Sequence, residues 1–193
     1  MLNHQPHIAV IAGPNGSGKS TCGPAILKQH LQISEFVNAD TIATGLSAFQ
    51  PEKVAIESGR IMLDRLKQLA EKKENFAFET TLSSRSFAPW IARIKQEGYY
   101  FSLIYFWLRN EELAIERVAA RVRLGGHGIP EETIRRRFKT SLRNFFSLYQ
   151  PIADEWRVYD NSEADNPVLV AQGEQTNVFQ VLQRQQWDLI GEQ

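Results

Sequence analysis

The chain opens with the apolar run Ile8-Ala9-Val10-Ile11-Ala12 and breaks at Gly13-Pro14-Asn15-Gly16-Ser17-Gly18. The pattern predicts a strand over 7–12, a loop, and a helix to about His30. Residues 35–38 predict a second short strand ending at Ala39-Asp40, and residues 40–50 carry no period and are expected to be irregular. From Pro51 to Lys73 the apolar residues Val54, Ile61, Met62, Leu66 and Leu69 recur with charges between them, which is a helical stripe. Residues 75–80 predict a third strand, and residues 86–96 a helix closed by Gly98. Tyr99 to Leu108 is apolar on both faces, as a central parallel strand between helix layers must be. Asn110 is placed to cap a helix with Glu111 and Glu112 in its first turn and an end at Leu124; the break Gly125-Gly126-His127-Gly128-Ile129-Pro130 follows. A further helix is expected from Pro130 to Tyr149, then a fifth strand over 156–159. Residues 167–172 and the helix-like 178–190 form a tail to which the pattern gives no role.

Strands alternating with helices imply an α/β fold with a parallel sheet covered on both faces. The expected architecture is a P-loop kinase-type three-layer sandwich whose five parallel strands run in the order 2-3-1-4-5. With 193 residues, the chain is expected to be one such domain, with its core over 7–162, a lid over 117–143 and a tail over 163–193. Ligands in such sheets lie beyond the carboxyl ends of the strands. Twenty-two Lys and Arg balance 22 Asp and Glu, so no overall field recruits nucleic acid or an anionic membrane, and neither is an expected partner. The single Cys22 excludes an internal disulfide, and the N-terminal residues lack the basic and apolar segments of a signal peptide. A cytoplasmic location is expected.

The chemistry is carried first by Gly13-Pro14-Asn15-Gly16-Ser17-Gly18-Lys19-Ser20, which fits G-x-x-x-x-G-K-[ST] and has a predicted strand before it and a helix after it. Its glycines let backbone N–H groups turn inward around phosphate oxygens at the positive end of a helix. Lys19 supplies a point charge to the outer phosphates, Ser20 offers its hydroxyl to Mg²⁺, and Thr21 adds a contact to the inner phosphate. A nucleoside triphosphate with Mg²⁺ is the ligand this implies. No apolar strand ends in the Asp-Glu pair of a mechanical ATPase, and no Asn-Lys-x-Asp string for guanine is present. Single carboxylates stand instead at two strand ends, Asp40 and Glu79. There they can face the hydroxyl of a second substrate, or serve as a helix cap and a turn former.

Arg117, Arg121, Arg123, Arg135, Arg136, Arg137, Lys139 and Arg143 bracket the Gly125–Pro130 break. Arginines closing on a glycine hinge could stabilise a moving phosphoryl group. The alternative is a solvated face paired with Glu111, Glu112, Glu116, Glu131 and Glu132.

The phosphate loop, Asn38-Ala39-Asp40, Phe78-Glu79-Thr80-Thr81, the arginine-flanked lid and Tyr159-Asp160-Asn161-Ser162 together resemble the zeta toxin family of P-loop kinases, over about Ile8 to Ser162. The resemblance implies transfer of the γ-phosphate of ATP to a sugar hydroxyl of UDP-N-acetylglucosamine or a related sugar nucleotide, and an antitoxin protein as partner. It implies that Lys19 and Ser20 handle ATP and Mg²⁺, that Asp40 is the base on the acceptor hydroxyl, and that Glu79 and Thr81 hold the acceptor. Lid arginines would contact the moving phosphate, with Arg117 and Arg121 first, being four apart on one helical face, and Arg123 next. Two other readings stay open at this point: a kinase of another metabolite or nucleotide hydroxyl, and a slow ATP-bound switch that presents a helical surface to a protein.

Overall fold

The computed structural model describes residues 5–126, 128–163 and 166–192. The first strand, β1 (His7–Ala12), runs into the glycine loop and then α1 (Lys19–Ile26), which continues as a π-helical turn over Leu27–Leu31. Then come β2 (Glu35–Val37), α2 (Ala39–Leu46), a 3₁₀ turn over Pro51–Val54, α3 (Ala55–Glu71), β3 (Phe76–Thr80), α4 (Phe87–Gln96) and β4 (Tyr100–Trp107). The second half holds α5 (Glu111–Arg123), α6 (Glu131–Asn144), β5 (Glu155–Asp160), β6 (Val168–Glu174), β7 (Asn177–Val181) and α7 (Arg184–Glu192).

The sheet has the order β2-β3-β1-β4-β5-β6-β7, so the expected 2-3-1-4-5 arrangement is present with two further strands. β1 to β5 pair in parallel, whereas β6 and β7 add on antiparallel. The count of five strands is therefore corrected to seven. The tail was legible neither as strand nor as sheet edge, because β7 is exposed along most of its length and shows no buried alternation. Its seating comes from tertiary packing: Gly173 lies against the Trp156 ring, where a Cβ would come within 2.6 Å of Trp156 Cζ2. The Trp156 indole N–H donates to Gln175 O at 2.8 Å, and Trp187 of α7 stacks on Trp156 with ring centroids 5.6 Å apart.

A second correction concerns residues 40–50, expected to be irregular: α2 runs from Ala39 to Leu46 and takes in the first part of that stretch. Asn38 supplies the start, its extended backbone and side-chain Oδ1 accepting from the N–H groups of Asp40 and Thr41.

The two faces of β1 divide the core. Ile8, Val10 and Ala12 join the cluster containing Met62 and Leu66 of α3 and Ile91 of α4, while Ala9 and Ile11 pack with Ile26 and Leu27. A third cluster, Leu108, Ala114, Val118, Ile134 and Phe138, holds α6 across α5 at the carboxyl end of β4. Among the described residues no helix is long and apolar enough to cross a membrane.

Candidate active site

Register brings the site together. Ile11 of β1 lies beside Glu79 of β3, and Ala12 beside Thr80, so the acid at the end of β3 stands next to the entry of the phosphate loop. Gly16 and Gly18 take left-handed backbone angles, φ 78° and 84°. At Gly18 the conformation and the space both demand glycine, since a Cβ there would run into Asn161 Nδ2. Asn161 lies under the loop, 1% exposed, with Nδ2 donating to Ser17 O at 2.9 Å. Gly18→Ala is therefore expected to destabilise by about 1–3 kcal/mol, lowering the thermal midpoint by several degrees. The same change at Gly59, within α3 and with open space about its Cβ, is expected to stabilise by about 0.5–1 kcal/mol. Thermal denaturation of the two variants checks both signs.

Lys19 is 6% exposed, and its Nζ spans back to donate to Pro14 O at 2.8 Å. Glu79 Oε1 lies 3.8 Å from that nitrogen. Burial pulls the Lys19 pKa below the usual lysine range; Glu79 and Asp40 oppose the shift, and Arg121 and Arg137 reinforce it. Glu79 Oε2 accepts from Ser20 Oγ at 2.8 Å and from Asn38 Nδ2 at 2.7 Å. One carboxylate thus joins the loop lysine, the loop serine and the residue that starts α2.

Asp40 is exposed in the first turn of α2, and its charge bears on both Lys19 and Arg137. Thr81 lies in the loop after β3, half-buried, with its hydroxyl 2.6 Å from Ser83 Oγ. Thr21 is exposed on the first turn of α1.

The arginines separate into groups with different partners. Arg117 donates from Nη1 to Asn161 O at 2.7 Å and from Nη2 to Ser162 O at 3.0 Å, which ties α5 to the segment after β5. Arg121 is half-buried, with its charge felt by Lys19, whereas Arg123 is exposed near the end of α5. Arg135 binds Glu111 at 2.8 Å, Glu112 at 2.9 Å and Glu131 at 2.7 Å, which is the carboxylate-paired alternative for this cluster. His127, in the break between α5 and α6, lies outside the described residues.

Three residues of the site escaped the sequence reading of individual roles. Arg137 reaches the phosphate loop, its Nη1 3.4 Å from Asn15 Oδ1, and burial together with Arg136 lowers its pKa. Its spacing offered a signal: three residues after Ile134 and four before Ser141, it shares the inward face of α6. Asn38 and Asn161 gave no such signal, because their bonds run to residues 41 and 144 positions away.

A magnesium ion takes hard oxygen donors, typically one or two from protein with water completing the octahedron. Ser20 Oγ and Glu79 Oε2, adjacent at the carboxyl ends of the strands, fit that requirement.

The phosphate loop between β1 and α1, at the carboxyl ends of a 2-3-1-4-5 parallel core, defines a P-loop kinase-like protein. The zeta toxin family model matches residues 2–178, and the chain belongs to that family. An uncharacterized protein of Haemophilus influenzae is 31% identical over 126 residues, covering 65% of this chain and 88% of that protein. Among solved structures, the AvrRxo1-ORF1:AvrRxo1-ORF2 complex with sulphate ions is similar at a TM-score of 0.72 and 17% identity, over 97% of this chain. This chain spans 64% of that one. The PezAT chromosomal toxin-antitoxin system of Streptococcus pneumoniae gives a TM-score of 0.71 at 16% identity, covering 96% of this chain and 78% of that chain. At these identities the likeness is one of fold.

Proposed function

We propose that this protein is an ATP- and Mg²⁺-dependent kinase that transfers the γ-phosphate to a hydroxyl of a small molecule, with a sugar nucleotide such as UDP-N-acetylglucosamine as the acceptor class. The observation that carries the reading is the Glu79 carboxylate, which gathers Ser20, Lys19 and Asn38 at the carboxyl ends of three adjacent strands. Binding of triphosphate by the loop amides would draw Lys19 Nζ from Pro14 O onto the outer phosphate oxygens. Ser20 and Glu79 would hold Mg²⁺, which supplies charge neutralisation between the phosphates. Asp40 would orient the acceptor hydroxyl and receive its proton late, since a loose transition state needs little early proton removal. Arg121 and Arg137 would meet the charge that spreads over the equatorial oxygens.

In this reading Glu79 takes a post on the phosphate side instead of the acceptor-holding role that the resemblance implies, and its bond with Ser20 Oγ is what supports that. Thr81 keeps its place in the reading as an acceptor contact. Arg117 is proposed as an anchor of the segment after β5, and Arg123 as a solvated residue. Support for an antitoxin partner comes from family membership and from the PezAT neighbour, which is part of a toxin-antitoxin system.

The direct test incubates the protein with γ-labelled ATP and a metabolite extract. Label on a small acceptor supports a kinase, and slow release of free phosphate alone supports a switch. Alanine at Arg121 or Arg137 is expected to lower kcat by about 10²-fold or more with a smaller change in the KM for ATP. Unchanged kcat in both variants would return these residues to the solvated face.

A further inference from the structure

Asn38 uses both ends of its amide. Oδ1 accepts from the backbone N–H of Asp40 at 2.7 Å and of Thr41 at 3.2 Å, while Nδ2 donates to Glu79 Oε2 at 2.7 Å. The side chain is held between these partners with the residue 7% exposed. Capping a helix needs an acceptor alone, and Ser, Thr or Asp serves that purpose as well as Asn. The donor at the opposite end is a separate property of the amide. A carboxylate in its place would face Glu79 as a like charge, and a serine hydroxyl is too short to span both partners.

We infer that Asn38 is a positioning residue that sets Asp40 against the phosphate loop. Through it the first turn of α2, which carries Asp40, is tied to the same carboxylate oxygen that receives Ser20 Oγ at 2.8 Å. The inference rests on the kinase reading, in which Asp40 takes the acceptor proton. In-line transfer is sensitive to such placement, a shift of about 1 Å costing about a hundredfold in rate.

Asn38→Ser keeps the cap and removes the donor; Asn38→Asp keeps the cap and sets a second carboxylate against Glu79. Asn38→Ser is expected to lower kcat about 10- to 100-fold with the KM for ATP within about twofold, and Asn38→Asp to lower kcat further. In an Asp40→Asn background, Asn38→Ser should cost less than about threefold more, because the group it positions has already been disabled. A wild-type kcat in Asn38→Ser, or a loss that multiplies in full with that of Asp40→Asn, would overturn the inference.

A second cycle requires no activity. Thermal midpoints of Asn38→Ser, Glu79→Ala and the double variant should show overlapping losses, the double variant melting within about 2 °C of Glu79→Ala. Losses that add in full would show that the amide does not join α2 to Glu79, and would overturn the inference by themselves. If the wild-type protein transfers no phosphate, the kinase reading fails, and this cycle still decides whether the tie exists.

Discussion

Lys19→Met is expected to remove ATP-dependent transfer, by at least about 10²- to 10³-fold, in a protein that remains folded. The lysine is the one cation inside the phosphate loop, and its ammonium is held between Pro14 O at 2.8 Å and Glu79 Oε1 at 3.8 Å. A preorganised charge at the developing transition state is worth about 10² to 10³ in kcat when a single neutral donor is lost, and more when the group is ionised. Methionine fills the space of the buried stem and carries no charge. The carboxylate left behind retains Ser20 Oγ at 2.8 Å and Asn38 Nδ2 at 2.7 Å, so the loss of its cation does not strand it. Transfer of label from γ-labelled ATP, measured beside a thermal melt, separates the chemical loss from unfolding. Wild-type transfer in a folded Lys19→Met protein would defeat the kinase assignment at its root.

Asp40→Asn should lower transfer by about 10² to 10⁴ while nucleotide binding changes little. Asp40 is exposed at the mouth of the site and takes no part in the bonds that fix Lys19 and Ser20, so the loop keeps its ATP contacts in the variant. Asparagine preserves the shape, a hydrogen bond and the start of α2, whose cap is Asn38 rather than Asp40. The cost to the helix is the lost first-turn charge, about 0.3–1 kcal/mol. Transfer assays paired with equilibrium nucleotide binding should therefore come apart. If Mg-ATP binding fails in the folded variant, Asp40 belongs to the metal site and the base must be sought at Glu79. If both survive, Asp40 does no more than favour the helix start.

The parallel core and the loop were legible because their signals are contiguous. A five-residue apolar run followed by G-x-x-x-x-G-K-S needs no tertiary information, and Tyr99–Leu108, apolar on both faces, marks a central strand by itself. α2 was missed because Asn38 read as the end of a strand, when its side chain was the start of a helix. β7 was missed because its apolar residues Val178 and Phe179 are 42% and 62% exposed, and β6 because its buried residues Val170 and Ala171 are adjacent rather than alternating, so burial follows no strand period in either. In the site, charge counting located the arginine cluster and could not sort it. Arg117 is assigned by carbonyls 44 and 45 residues away, Arg135 by three carboxylates, and Arg137 by a contact with Asn15 across 122 residues. Each of these depends on how α5 and α6 cross, which a single sequence does not encode in any local pattern.

The C-terminal helix carries its own optical reporter. The indoles of Trp156 and Trp187 lie 5.6 Å apart with their planes only 8° from parallel, and Trp187 also meets Phe146 edge to face at 6.0 Å. Two chromophores fixed this closely couple electronically, and near-ultraviolet circular dichroism is sensitive to such fixed aromatic packing. One tryptophan belongs to β5, inside the parallel core, and the other to α7, beyond the last residue of the family match. Seating of the tail thus has a spectroscopic signature separate from the chemistry at the phosphate loop, and detachment of α7 registers without any label.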